Sequence, residues 1–297
     1  MRQTDEQNLQ AAEAAADMGD NKTALKYYLL AAEAGIVTAM TACGNLYLDG
    51  GEIKQDIQQA LEWFKKAAEF GNVTAINNIG YVYELQGNYE ESLKWYEKAA
   101  NLNSVTAMMN LSGMYKHRFK NKKLAQFWLD KAESCTDLES VKTLAAYYWD
   151  ADRIRNHKEK AIKFYEKAAK MCDVESLEIL GELYFEIENF EAAEHYYFRA
   201  AKAGNVEAMV NFGILMTYSP DNFENAYFWL KQAIQRKSTI ALKIMGDLFR
   251  EYRQYPQALR WYRKALNAGE FVQNDIKQMK KLIKTYKADC KLKLRLL

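Results

Sequence analysis

Two short residue patterns alternate along the whole chain, and a fixed period of 20–50 residues limits a fold to stacked copies of one supersecondary unit. The first pattern appears as AMTACGNLY (39–47), AINNIGYVY (75–83), AMMNLSGMY (107–115), SVKTLAAYY (140–148), SLEILGELY (176–184), AMVNFGILM (208–216) and ALKIMGDLF (241–249). Each copy is followed by a second pattern, such as ALEWFKKAAEFG (60–71), SLKWYEKAANLN (92–103), AIKFYEKAAKMC (161–172) or ALRWYRKALNAG (258–269). Residues 24–35, ALKYYLLAAEAG, match the second pattern, which makes Glu6 to Met18 its partner. The spacing is helical. Ala75, Ile79, Gly80 and Tyr83 share one face of the first helix, and Ser92, Trp95, Tyr96 and Ala99 share one face of the second.

Composition agrees. Two Pro and fourteen Gly in 297 residues are too few for the turns of a sheet protein. Six of the glycines fall between helices: Gly19 and Gly87 inside pairs, and Gly35, Gly71, Gly204 and Gly269 after them, where a left-handed cap is wanted. A single pair cannot bury its own apolar face, so eight must stack. The expected units are 5–35, 38–71, 74–103, 106–135, 139–172, 175–204, 207–237 and 240–269, in one repeat domain over 1–297. Segment 270–290 places Ile276, Met279, Leu282, Ile283 and Tyr286 opposite a lysine-rich face, as a capping helix requires.

The alternation of small-xxx-LG-xx-Y with A-xx-WY-x-KAA-xx-G resembles the Sel1-like repeat family, a relative of the tetratricopeptide repeat, over residues 5–269. Ser112 and Ala145 replace the small Gly, and Met216 and Phe249 the Tyr, each keeping size or apolarity. The resemblance implies an all-α, right-handed superhelical solenoid of helix pairs that binds protein partners. Ala39 to Ala60 and Ser140 to Ala161 each span 21 positions, a longer connection than elsewhere, so both repeat types are mixed. Pattern starts at 39, 140 and 241 are 101 residues apart, consistent with a duplicated three-repeat block whose connections at 49–56 and 150–157 should then match.

No catalytic constellation is legible. His117, His157 and His195 lie in different units without metal-ligand spacing, and Cys43, Cys135, Cys172 and Cys290 form no CxxC. Phosphate-cradling glycine motifs and a GxSxG elbow are missing, and Gly50-Gly51 reads as a turn. The expectation is a chain without enzymatic activity, cofactor or metal. The aromatic stripe Trp63, Trp95, Trp128, Tyr165, Tyr196, Trp229 and Trp261 recurs once per unit and reads as interhelical core. The N-terminal segment has no apolar run of signal-peptide length and no stretch reaches membrane-span length, so a cytoplasmic location is expected.

Charge is where the units differ. The net charge is only +2, but residues 270–297 hold eight Lys/Arg against three Asp/Glu, leaving −3 for the rest. The basic end reads as a solvated cap face, since the acidic body and the lack of basic-aromatic interleaving argue against nucleic acid. Segment 173–198 carries eight Asp/Glu and no Lys/Arg. Glu175, Glu178, Glu182 and Glu186 fall on one helical face there.

The family's groove-facing positions, carried over around Gly181, are Glu175, Glu178, Glu182, Phe185 and Glu186. Around Ala145 they are Glu139, Lys142, Trp149 and Asp150, and around Gly213 they are Glu207, Val210, Thr217 and Tyr218. The expectation is an acidic groove with aromatic anchors that binds a protein or peptide bearing Lys or Arg. An alternative is a dedicated inhibitor, such as a toxin-neutralising immunity protein; an enzyme or a nucleic-acid binder is a weaker one. Changing Glu178 and Glu182 to Lys is expected to abolish capture without unfolding.

Overall fold

A computed structural model describes residues 3–155, 158–217 and 222–293. Among these are seventeen α-helices and no strand, an all-α helical-repeat solenoid fold. The chain divides into two compact units, Met1–Leu144 and Ala145–Leu297.

The first unit contains α1 (Gln3–Asp17), α2 (Asn21–Glu33), α3 (Val37–Asp49), α4 (Ile57–Glu69), α5 (Val73–Leu85), α6 (Tyr89–Asn101), α7 (Val105–His117) and α8 (Lys122–Glu133). It ends inside α9 (Leu138–Arg155), whose remainder opens the second unit. That unit continues with α10 (Lys158–Lys170), α11 (Val174–Glu186), α12 (Phe190–Lys202), α13 (Val206–Thr217), α14 (Phe223–Gln235), α15 (Ile240–Glu251), α16 (Tyr255–Asn267) and α17 (Gln273–Lys293).

Helix starts follow from the sequence. Asp20, Asp56, Asn72, Asn88, Ser104, Asn121, Asp173, Asn189 and Asn205 each accept a hydrogen bond from a backbone N–H in the first turn. Such caps contribute roughly 1 kcal/mol apiece. Many close a turn of two or three residues, so the asparagine that caps α12 also ends α11, its N–H bonding to Tyr184 O at 2.9 Å.

Within a pair, the core is set by the glycine of the first helix. A β-carbon on Gly80 would lie 2.7 Å from Tyr96 Cδ1, one on Gly246 the same distance from Tyr262 Cδ1, and one on Gly213 2.8 Å from Leu230 Cγ. Gly44 faces Phe64, and Gly181 faces Tyr197, in the same way. In these five pairs a side chain of the second helix, a ring in all but one, therefore sits directly on first-helix backbone. Where Ser112 replaces glycine, its hydroxyl donates to Ala125 O at 2.7 Å, so the polar group is satisfied.

The tryptophan stripe occupies the preceding position. Trp63 and Trp128 are buried, whereas Trp95, Trp229 and Trp261 are half-buried. Lysines three residues on lie over the faces of Trp63, Trp95, Trp128 and Trp261, Lys66 at 3.9 Å from the Trp63 centroid and Lys264 at 4.1 Å from Trp261. Tyr165, four residues after Ala161 as Tyr96 follows Ser92, belongs to the ring-on-glycine register instead.

The two long connections differ. Gly50 and Gly51, at φ of 72° and 86°, stop α3 and open a bend before Asp56. In α9 the helix runs through the matching Ala151 and Asp152 to Arg155, which needs no positive φ. This counts against the three-repeat duplication; residues 156 and 157 lie outside the described residues.

The last helix buries Ile276 and Met279 and leaves Lys277, Lys280, Lys281 and Lys284 exposed. Arg250 holds it in place, with Nη1 2.9 Å from Asp247 and 3.7 Å from Asp275, while Tyr262 donates to Asp247 at 2.7 Å. Replacing Asp275 with alanine removes one partly exposed partner, so a modest loss of about 0.5–1 kcal/mol is expected. Hydrogen exchange should rise in α17 and remain unchanged in α11; no change in α17 would refute the role given to this contact.

Candidate functional site

The acidic strip lies on α11 in the second unit. Asp173 starts this helix by accepting from Ser176 N at 2.8 Å, and helical spacing then places Glu175, Glu178, Glu182 and Glu186 along one side. Glu175, Glu182 and Glu186 are exposed. Glu178 is not: it is only 7 % exposed, so it lies beneath the surface that its neighbours present.

Glu178 occupies a structural register. Asn211 of α13 donates to its Oε1 at 3.4 Å, across 33 residues of sequence. In the first unit Asn110 donates to Asn77 across the same 33 residues, at 3.1 Å. Asn77 and Glu178 are both three residues before the small glycine, so a carboxyl group stands where an earlier unit has a neutral amide. Burial, then the nearby Glu182, Glu207 and Glu175, push its pKa up to about 7. The same surroundings, burial first, raise the hydroxyl of Tyr197 well above the usual tyrosine range. Lysine at 178 would be buried, so the expectation that changing Glu178 and Glu182 to Lys leaves the fold intact is corrected.

A cation from outside segment 173–198 reaches this strip. Lys158, at the start of α10, places Nζ 3.5 Å from Glu186 Oε2 and 5.8 Å from the centroid of Trp149. This pair is about half-exposed, so it contributes little to stability. It brings Trp149 and Glu186 to one lysine. Glu207 is exposed on α13, beside the α11 strip. Glu139 belongs to the first unit, so the second unit's site is assembled without it. Tyr218 lies outside the described residues.

Phe185 is half-buried at the end of α11, and beyond it sequence reasoning missed a chain of clefts. The largest, about 620 Å³, is lined by residues including Phe185, Phe190, Leu215 and Met216 with Glu188 and Glu194. A second, about 380 Å³, shares Phe185 and Glu186 and adds Glu182, Tyr197 and Asn211. A third, about 540 Å³, shares Glu194 and Met216 and adds His195, Phe198 and Trp229. The available signal was the aromatic surplus of 184–198, from which only Phe185 was read as groove-facing and Tyr196 as core.

Among the described residues no three His, Cys, Asp or Glu side chains are grouped to hold a metal ion. No described helix is long and apolar enough to cross a membrane. Cys43 is buried, which pushes its thiol up to about 12 and leaves it unreactive at neutral pH.

Comparison with known proteins places this geometry. The Sel1 repeat matches residues 18–36, 37–72, 105–137, 144–171, 180–205, 209–238 and 246–270, and the tetratricopeptide repeat matches 73–104. Among curated proteins none matches. Among solved structures, the chain is similar to c5321, a protective antigen of uropathogenic Escherichia coli with an SLR fold. That match has 22 % identity and a TM-score of 0.39, covering 90 % of this chain and 69 % of that one. A Sel1 repeat protein from Oxalobacter formigenes matches at 24 % identity and TM-score 0.39, over 77 % of this chain and 99 % of that one. Immunity protein Pa5087 from Pseudomonas aeruginosa matches at 21 % identity and TM-score 0.41, over 61 % and 71 %. With seven Sel1 units and one tetratricopeptide unit laid end to end, the chain belongs to the Sel1 repeat family.

Proposed function

We propose that this protein is a non-catalytic interaction scaffold that captures a partner through a Lys- or Arg-bearing segment laid on the α11–α13 face of the second unit. Sel1 and tetratricopeptide repeats generally mediate protein–protein interaction. The observation that carries the finer reading is Lys158, held 3.5 Å from Glu186 with its ammonium over Trp149. The surface already accepts one lysine from its own chain, using a carboxylate for charge and a ring for the cation. Glu175, Glu182 and Glu207 present further exposed carboxylates beside it. Such a field steers a basic segment toward the face and fixes its register.

The test is affinity purification from the native cell with the wild-type chain and with Glu182→Lys/Glu207→Lys, both positions being exposed. Partners with a basic segment should fall at least tenfold in the variant while its helical content is unchanged. Equal recovery by both baits would refute the face. Lys158→Ala should have the opposite effect, strengthening capture two- to fivefold, because it vacates Glu186 for the partner's own cation.

A further inference from the structure

We infer that the partner segment crosses the edge between the α11–α12 pair and the α13–α14 pair, as an extended stretch alternating apolar with Lys or Arg residues, held in the three linked clefts. This rests on the basic-segment reading above and names the path and chemistry of the ligand. The clefts are joined by shared walls: Phe185 and Glu186 connect the first to the second, and Glu194 and Met216 connect the first to the third. Together they run from the α11–α13 face, past the α11–α12 turn, to the α12–α14 face. A compact small molecule would fill one of them; a linked series suits a chain.

The lining has two chemistries. Phe190 is 50 % exposed and Phe198 41 %, and both line these clefts. Their rings are set edge-on to neighbours, Phe190 to Phe185 at 5.5 Å and Phe198 to Trp229 at 6.0 Å, so the floor is preformed. Around it stand Glu182, Glu186, Glu188, Glu191 and Glu194, and no described lining residue is Lys or Arg. In an extended segment successive side chains point to opposite sides. Alternation therefore sends apolar residues to the floor and cations to the carboxylate rim, whereas a block of either kind satisfies only one.

The experiment is fluorescence anisotropy on the full chain at physiological salt, with a labelled heptapeptide of alternating lysine and leucine. A peptide of the same composition, with its lysines in one block, is the comparison. The alternating peptide should bind at least tenfold tighter. Two variants should each weaken it at least tenfold: Phe190→Ser, at the first position of α12, and Glu188→Gly/Glu194→Gln. Glu188 has φ of 61°, a conformation glycine adopts freely, so binding lost in the second variant with helical content unchanged is lost contact and not lost fold. Glu90→Gln/Glu91→Gln, the same charge change in the first unit, should alter affinity less than twofold.

Three outcomes overturn the inference: no binding, equal binding of both peptides, or equal losses in the two units. Binding that falls in Glu182→Lys/Glu207→Lys yet survives both cleft variants leaves the face reading standing and removes the cleft. A concentration-dependent dimer abolished by Lys291→Glu/Lys293→Glu/Arg295→Glu would make a second copy's basic tail the occupant, which also overturns it.

Discussion

Gly181→Ala is expected to destabilise the second unit by about 2 kcal/mol, although alanine is the better helix former. Two terms compete. Alanine at an interior helical position gains up to about 1 kcal/mol over glycine. Against this, the added β-carbon would overlap Tyr197 Cδ1, lie 2.5 Å from Cε1 and 2.8 Å from Cγ, where atoms need well over 3 Å. Tyr197 is only 4 % exposed, and its ring cannot swing aside without moving α12 against α11. Overpacking of this kind costs about 1–3 kcal/mol and occasionally more, so the clash outweighs the propensity.

Gly113 in α7 is the control. Nothing lies within 4 Å of the same added carbon there, so Gly113→Ala should gain roughly 0.5–1 kcal/mol. Urea unfolding of the two variants should move in opposite directions. Combining Gly181→Ala with Tyr197→Leu should restore part of the loss, because Gly213 already faces Leu230 rather than a ring. Equal shifts for Gly113 and Gly181 would mean that the glycine does not set the approach of the two helices.

The same pairing shows what sequence could and could not reveal. The all-helical repeat fold was legible because apolar spacing, Asn and Asp at helix starts and glycine at helix ends all repeat. Spacing placed Trp95 and Tyr96 on one apolar face but did not show that Tyr96 is the ring seated on Gly80, since the two are adjacent and both aromatic. Periodicity separates neighbours by 100° and cannot rank two aromatic residues on one apolar face. At the site, the exposed strip Glu175, Glu182 and Glu186 was legible from i, i+4 spacing. The Lys158–Glu186 contact was not, because it joins residues 28 apart whose meeting depends on how α10 packs beside α11. The burial of Glu178 was hidden for a related reason: its environment comes from α13, and only Asn110 on Asn77 reveals that this register faces the next unit.

Glu178→Gln is expected to leave stability unchanged in mild acid and to raise it by about 2 kcal/mol at pH 8. The carboxyl has its ordinary pKa near 4.5 in the unfolded chain and about 7 when folded, pushed up by burial and by Glu182, Glu207 and Glu175. Below pH 4.5 both states hold the proton, so the buried group costs nothing extra. Between pH 4.5 and 7 the unfolded chain releases it first, and wild-type stability declines as pH rises. Above pH 7 the folded protein carries a buried carboxylate among three others, and the full cost is present. A shift of one pKa unit corresponds to about 1.4 kcal/mol, and solvent near the exposed Glu182 reduces the sum to the figure given.

Glutamine keeps the oxygen that accepts from Asn211 and has no charge to lose, reproducing the amide of Asn77 at the matching position. Because other carboxylates titrate in the same range, the informative quantity is the variant minus wild-type difference in urea midpoint from pH 4 to 8. It should be near zero at pH 4, rise through pH 5–7 and level off. A flat difference would show that Glu178 ionises normally. A basic partner held at Glu182 favours the ionised form of Glu178 and lowers its pKa, so binding should release protons near pH 6 in the wild type and fewer in Glu178→Gln. Isothermal calorimetry in buffers of different ionisation enthalpy reads that difference, and equal proton release by the two proteins would uncouple Glu178 from capture.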